Sequence, residues 1–120
     1  MKQFIQSMKY ALNGIRLYLK ERNAKIQISM AIVYSIIAFI LEFTYKEWCI
    51  VLVCFAMVFT AEAINTAIEH LVDLVSPEYN EKAGKVKDIA AGAVFISAIF
   101  TGIIGVLLIL NKLFPTGCQF

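Results

Sequence analysis

Four acceptor-bearing side chains recur at helical spacing in the middle of this chain: Glu62, Asn65, Glu69 and Asp73. Their separations are 3, 4 and 4 residues. At about 100° per residue of α-helix they fall within roughly 80° of one another, on one face. The fourteen residues before them, Trp48 to Ala61, carry no charge. A carboxylate at membrane depth costs at least about 2.5–3.5 kcal/mol. A column of them there is the signature of a working site. Glu62 lies about 10 Å deeper along such a helix than Glu69. Its apolar neighbours favour the neutral form, which poises it as a general base. Glu69 lies nearer water and offers oxygen to a hard divalent cation. Lys87, beyond the following loop, presents a point charge suited to phosphate. Together these groups fit a metal-bound, phosphate-bearing substrate meeting a lipid hydroxyl. Phosphoryl transfer of that kind needs mainly positioning and charge neutralisation.

The elements that must hold the column are helices in a bilayer. Of the 120 residues, 60% are hydrophobic, well above a soluble domain. Three stretches approach or exceed the roughly 20 residues a bilayer requires. They predict transmembrane helices over about 26–43, 48–75 and 89–111. The length leaves room for one domain only, spanning 1–120. Before the spans, Phe4, Ile5, Met8, Leu12, Ile15 and Leu19 recur at helical spacing, with Lys2, Lys9, Arg16 and Lys20 opposite. That pattern predicts an amphipathic helix over 1–23 lying on a leaflet surface. Glu21 to Lys25 reads as the elbow into the first span, and the 77–88 segment as a solvated loop. The expected class is an all-α membrane protein.

Six basic residues precede the first span and three more lie between Lys82 and Lys87; only Lys46 and Lys112 sit at the other ends. This bias places the N-terminus and the 77–88 loop in the cytoplasm. Cys49, Cys54 and Cys118 form no CxxC pair and read as free, mostly buried thiols. Gly84-Lys85 is followed by valine, so no P-loop is present. Ala93, Ser97, Thr101 and Gly105 form a small-residue stripe that reads as a packing face. Nothing in the pattern calls for a nucleic-acid partner. His70 lies beside the column and reads as a packed or interfacial residue. A proton or ion pathway through the column is the competing function, opposed by the uncharged run from Trp48 to Ala61.

The segment Glu62-Ala-Ile-Asn65-Thr-Ala-Ile-Glu69-x-x-x-Asp73, with Lys87-Asp88-x-Ala-Ala-Gly, closely resembles the signature of the bacterial diacylglycerol kinase / undecaprenol kinase family. The likeness covers nearly the whole chain. It implies a small lipid kinase of the bacterial plasma membrane, a homotrimer using ATP and Mg²⁺ with sites shared between subunits. It implies Glu62 as proton acceptor from the lipid hydroxyl, supported by Asn65 and Asp73. It places the metal on Glu21 and Glu69. It assigns ATP contacts to these two and to Tyr10, Glu78, Tyr79, Asn80, Lys87 and Asp88. The lipid side would be lined by Arg16 and Ala91, with Glu62. Ala91 stands where diacylglycerol kinase members carry a serine, and Gln3 where they carry an arginine. The Glu-Arg-Asn elbow and the Ala-Ala-Gly-Ala opening look more like the undecaprenol kinase branch. Undecaprenol is therefore the expected acceptor, with diacylglycerol as the alternative.

Overall fold

The computed structural model describes residues 1–115 and 117. Four helices follow one another: α1 (Lys2–Tyr18), α2 (Arg22–Ile40), α3 (Tyr45–Val75) and α4 (Glu81–Leu113). The last three are each long and apolar enough to cross a membrane. The described residues contain no strand. The all-α membrane architecture expected from the pattern is the one observed.

α1 buries none of its residues against the rest of the chain. Phe4, Met8, Leu12 and Ile15 stay exposed along it, as befits a helix whose apolar face is meant for lipid. It ends at Tyr18, short of the expected 23. The chain turns through 19–21, where Glu21 N–H donates to Tyr18 O at 3.0 Å. Arg22, expected in the elbow, already opens α2, and Ala24 is fully buried one turn inside it. An alanine admits close approach between helices where a larger side chain would not.

α2 and α3 are joined by a tight reversal. Glu42 takes a left-handed φ of 53°. Phe43 N–H reaches back to Ala38 O at 3.0 Å, and Glu42 N–H to Phe39 O at 3.1 Å. This is the Schellman pattern, with Phe43 packed on the turn it closes. Thr44 then caps α3: its hydroxyl accepts from Glu47 N–H at 3.3 Å, and Glu47 Oε2 accepts from Thr44 N–H at 2.7 Å. That reciprocal pair is a capping box.

α3 and α4 pack along each other most extensively, while α2 meets α3 over a shorter stretch. The apolar core lies near the α2–α3 reversal. It consists of Ala38, Phe43, Val51 and Leu108, flanked by Tyr34, Trp48 and Phe55 among others. Tyr34 meets Phe43 and Phe55 edge to face, both with ring centroids 6.2 Å apart. Of the expected stripe on α4, Ser97, Thr101 and Gly105 are half-buried and Ala93 is exposed; Tyr34 OH donates to Gly105 O at 2.9 Å, and a Cβ at Gly105 would lie 3.1 Å from the Tyr34 ring. Cys54 is buried and Cys49 exposed, both free; Cys118 lies outside the described residues.

The helix that carries the third span begins earlier than the apolar stretch itself. α4 starts at Glu81, so only 76–80 form the loop expected over 77–88. Asn80 supplies the reason. Its side-chain oxygen accepts from Lys82 N–H at 2.9 Å and Ala83 N–H at 3.2 Å, an N-cap. Glu81 and Lys85 add a pair one turn apart, 3.3 Å between charges. At 1.5 Å per residue, α3 and α4 are each about 45–50 Å long, against a hydrocarbon core of about 30 Å. Both can therefore extend beyond the bilayer at the end where the column lies.

Candidate active site

Burial falls along the column in the expected order. Glu62 is 3% exposed and Asn65 4%. Glu69 is intermediate, and Asp73 is exposed. Asn65 Nδ2 donates to Glu69 Oε1 at 3.2 Å, a contact set by their spacing of four on α3. The amide is thereby oriented, and its other end is left over: Asn65 Oδ1 is buried without a partner. An orphaned buried carbonyl oxygen is costly. Here it sits in the same turn as an acceptor-only carboxylate.

Glu62 reaches across to α2. Asn23 Nδ2 donates to its Oε1 at 3.0 Å, and Gln27 Nε2 to its Oε2 at 3.3 Å. Tyr18 OH, at the end of α1, donates to Gln27 Oε1 at 3.3 Å. Burial raises the Tyr18 phenol above its ordinary pKa, and the nearby Glu62 charge adds to the effect; the phenol stays protonated, a donor. Nothing at the sequence level ties Asn23, Gln27 and Tyr18 to Glu62. They are neutral residues 35 to 44 positions from Glu62, and only the fold brings them to it.

Glu21, the other expected metal ligand, lies across from α3 at the next residue along. Its Oε1 is 3.4 Å from His70 Nε2. His70, set aside on sequence grounds, is thus in contact with a site residue. Lys87 Nζ pairs with Asp73 Oδ1, which links the exposed end of the column to the first turns of α4. The lysine keeps further donors for a third group.

The remaining expected residues are not drawn onto the column. Tyr10 and Arg16 are exposed on α1, and Ala91 and Asp88 are exposed on α4. Glu78 and Tyr79 lie in the 76–80 loop, with Tyr79 95% exposed. Asn80 is engaged as the α4 cap. Among the described residues, no group of three or more His, Cys, Asp or Glu side chains could hold a metal ion unaided. The chain on its own therefore gathers Glu62, Asn65 and Glu69, the Asp73–Lys87 pair and Glu21. It leaves Tyr10, Arg16, Glu78, Tyr79, Asp88 and Ala91 exposed.

Comparison with known proteins converges on one group. The family model described as prokaryotic diacylglycerol kinase matches residues 9–109. The undecaprenol kinase of Bacillus subtilis (strain 168) is 37% identical over 114 residues, 94% of this chain and 93% of that protein. The diacylglycerol kinase of Haemophilus influenzae is 30% identical over 101 residues, 83% of this chain and 86% of that one. A diacylglycerol kinase of Helicobacter pylori is 33% identical, covering 82% and 78%. The matched segment takes in the end of α1, the column, the Asp73–Lys87 pair and most of α4, and on that basis the chain belongs to the prokaryotic diacylglycerol kinase family.

Proposed function

We propose that this lipid kinase transfers the γ-phosphoryl group of ATP to undecaprenol, with Glu62 as the proton acceptor. One observation carries the chemistry: a carboxylate 3% exposed on a transmembrane helix, held by neutral amides and, among the described residues, by no cation. The acceptor rests on the likeness to the Bacillus subtilis undecaprenol kinase over 94% of the chain.

In the reaction the lipid hydroxyl oxygen bonds to the γ-phosphorus of ATP. The bond from that phosphorus to the bridging β–γ oxygen breaks, and ADP leaves with the electron pair. The hydroxyl proton goes to Glu62. Within the chain, Glu62 accepts and holds that proton at one carboxylate oxygen. Asn65 fixes Glu69 through its amide. Lys87, steadied by Asp73, directs an ammonium at phosphate oxygens. Tyr10, Glu78, Tyr79, Asn80 and Asp88 would touch the nucleotide. Arg16 and Ala91 would face the lipid.

The residues present fit Mg²⁺. Glu69 and Glu21 are carboxylates, and the unpartnered Asn65 Oδ1 adds a third oxygen beside Glu69. Mg²⁺ takes one or two carboxylates and leaves its other positions to phosphate oxygens and water, and this donor set matches that in kind. When bound, the ion neutralises phosphate charge. Homotrimeric assembly with shared sites completes the reading. It is supported by the exposure of Asp73 at the end of the column and of Tyr10, Arg16, Tyr79 and Asp88, which the chain itself leaves uncovered. Mixing Glu62→Gln with Lys87→Ala subunits then restores part of the activity, whereas sites confined to one chain restore none.

The first test is a phosphorylation assay on purified protein in mixed micelles with γ-labelled ATP, Mg²⁺ and both acceptors. Label is expected mainly in undecaprenyl phosphate. Label mainly in phosphatidic acid would keep the mechanism and replace the acceptor, the second reading, which the diacylglycerol kinase relatives at 30–33% identity favour. Proton flux through vesicles with no labelled lipid would point to a pathway instead.

A further inference from the structure

The contacts around Glu62 say more than that it is buried. Its two oxygens are met separately, Oε1 by Asn23 and Oε2 by Gln27. The two amides come from one face of α2, four residues apart, which sets them one turn from each other. The terminal torsion of a glutamate is otherwise broad. One donor on each oxygen fixes the plane of the carboxylate as well as its position.

The chemistry of the donors is as telling as their geometry. A buried carboxylate needs partners. A lysine or arginine would supply them but would also bring a charge of its own beside the site. Amide donors satisfy the carboxylate without a positive charge. Each carboxylate oxygen has two acceptor positions. One donor apiece leaves each oxygen a further position, open to the proton of an incoming hydroxyl. Gln27 cannot be turned around cheaply, because Tyr18 OH already donates to its oxygen. The Nε2 end is thereby committed to Glu62.

We infer that Asn23 and Gln27 are positioning residues for the phosphoryl-transfer step, orienting the Glu62 carboxylate so that one free lone pair faces the lipid hydroxyl. The inference rests on the reading of Glu62 as proton acceptor. The opposing account makes the same two bonds a clamp between α2 and α3 with no part in turnover. The accounts differ in what they predict. A clamp acts on stability and on every property of the site together. A positioning residue acts on the step that uses the oriented carboxylate and leaves nucleotide binding alone.

The test uses the full chain in mixed micelles with undecaprenol and Mg–ATP, comparing the parent with Asn23→Ala, Gln27→Ala, Asn23→Asp and Glu62→Gln. Losing a hydrogen bond to a charged group lowers kcat about tenfold or more for each alanine variant. The KM for Mg–ATP stays within about twofold, since that binding involves neither amide. Asn23→Asp keeps the shape but sets oxygen against oxygen, so kcat falls further than for alanine. Its near-identical volume rules out packing loss as the cause. Thermal unfolding in the same micelles accompanies each assay. Parent-like kcat in all three α2 variants, with Glu62→Gln inactive, overturns the inference and spares the reading of Glu62. A fall in kcat matched by a rise in KM and a lower melting temperature overturns it in favour of the clamp. Turnover by Glu62→Gln at the parent rate removes Glu62 as proton acceptor, and the inference with it.

Discussion

Helix α3 buries two glutamates, and they are buried for different ends. Glu47, near its start, is 2% exposed; Glu62, in its second half, is 3% exposed. Glu47 is saturated. It accepts from the Thr44 backbone, closes the capping box, and pairs with Lys112 Nζ of α4 at 3.1 Å. The charge is matched by a charge, and the pair fastens the end of α4 to the start of α3. Glu62 has two neutral donors and, among the described residues, no cation. A buried ion pair ties two elements in one arrangement. A buried carboxylate whose partners are neutral amides, one on each oxygen, is oriented without a fixed charge beside it. The same distinction runs through the two ends of the molecule. The core of Phe43, Val51 and Leu108 lies with Glu47. The unpartnered Asn65 oxygen and the exposed polar residues lie with Glu62. One end holds the bundle, and the other is left incomplete for a substrate.

The comparison breaks most sharply at Glu62. Glu62→Gln is nearly isosteric and still meets α2, yet it cannot take a proton. Turnover should fall about 10²–10⁴-fold, the range for loss of a general base. The KM for Mg–ATP and the melting temperature should stay near those of the parent. Steady-state kinetics in mixed micelles, with unfolding followed in parallel, decides it. A stable variant with parent turnover would make Glu62 another structural carboxylate, and the contrast with Glu47 would collapse.

Glu69→Gln should act on the nucleotide instead. It removes the charge that Asn65 orients, so the apparent KM for Mg–ATP should rise about tenfold, the order expected of one charge-assisted contact. Equal losses of kcat in Glu62→Gln and Glu69→Gln, with unchanged KM in both, would deny the division of labour along the column.

At the opposite end the expectation reverses. Lys112→Ala leaves Glu47 buried without its cation. Fully buried pairs lose about 3–5 kcal/mol when one partner goes; Lys112 is 22% exposed in its side chain, so about 2–3 kcal/mol is the expected loss. Denaturation in micelles should register it. The turnover of the folded fraction should match the parent. A variant that keeps its stability and loses kcat would place Lys112 in the chemistry and undo the separation of the two ends.

That division was only half legible in the sequence. The column could be read because its members share one helix and hydropathy marks it as membrane-deep. Glu47 could not be read as buried. It stands in a short charged connection, beside Lys46, and its partner lies 65 residues away. Asn23 and Gln27 were invisible for the same reason, since an amide on another helix gains its meaning from the fold. The start of α4 was missed because hydropathy reports the membrane and not the helix. Glu81 to Asp88 is too charged to sit in lipid, yet Asn80 caps it and the backbone is helical from there. His70 reads from α3 alone as a residue beside the column, and the turn after α1 brings Glu21 to it. The three spans and the surface helix were legible, because each repeats its signal over many residues.

The smallest effect belongs to Tyr34, which lies on the structural side of the comparison. Its hydroxyl donates to Gly105 O at 2.9 Å and its ring fills the space that a Cβ there would crowd. The carbonyl of Gly105 is already part of the α4 ladder, so the hydroxyl adds a second donor and not the only one. Hydrogen bonds between helices in lipid average about 0.6 kcal/mol. Tyr34→Phe should therefore lower stability by about 0.6–1 kcal/mol, a shift of a few degrees at most in the melting temperature. It should leave kcat and both KM values at the parent level, because Tyr34 makes no contact with the column. Loss of turnover larger than the loss of stability would mean that the α2–α4 contact tunes where α2 presents Asn23 and Gln27. The two ends would then act through one helix, and α2 would be the element that couples them.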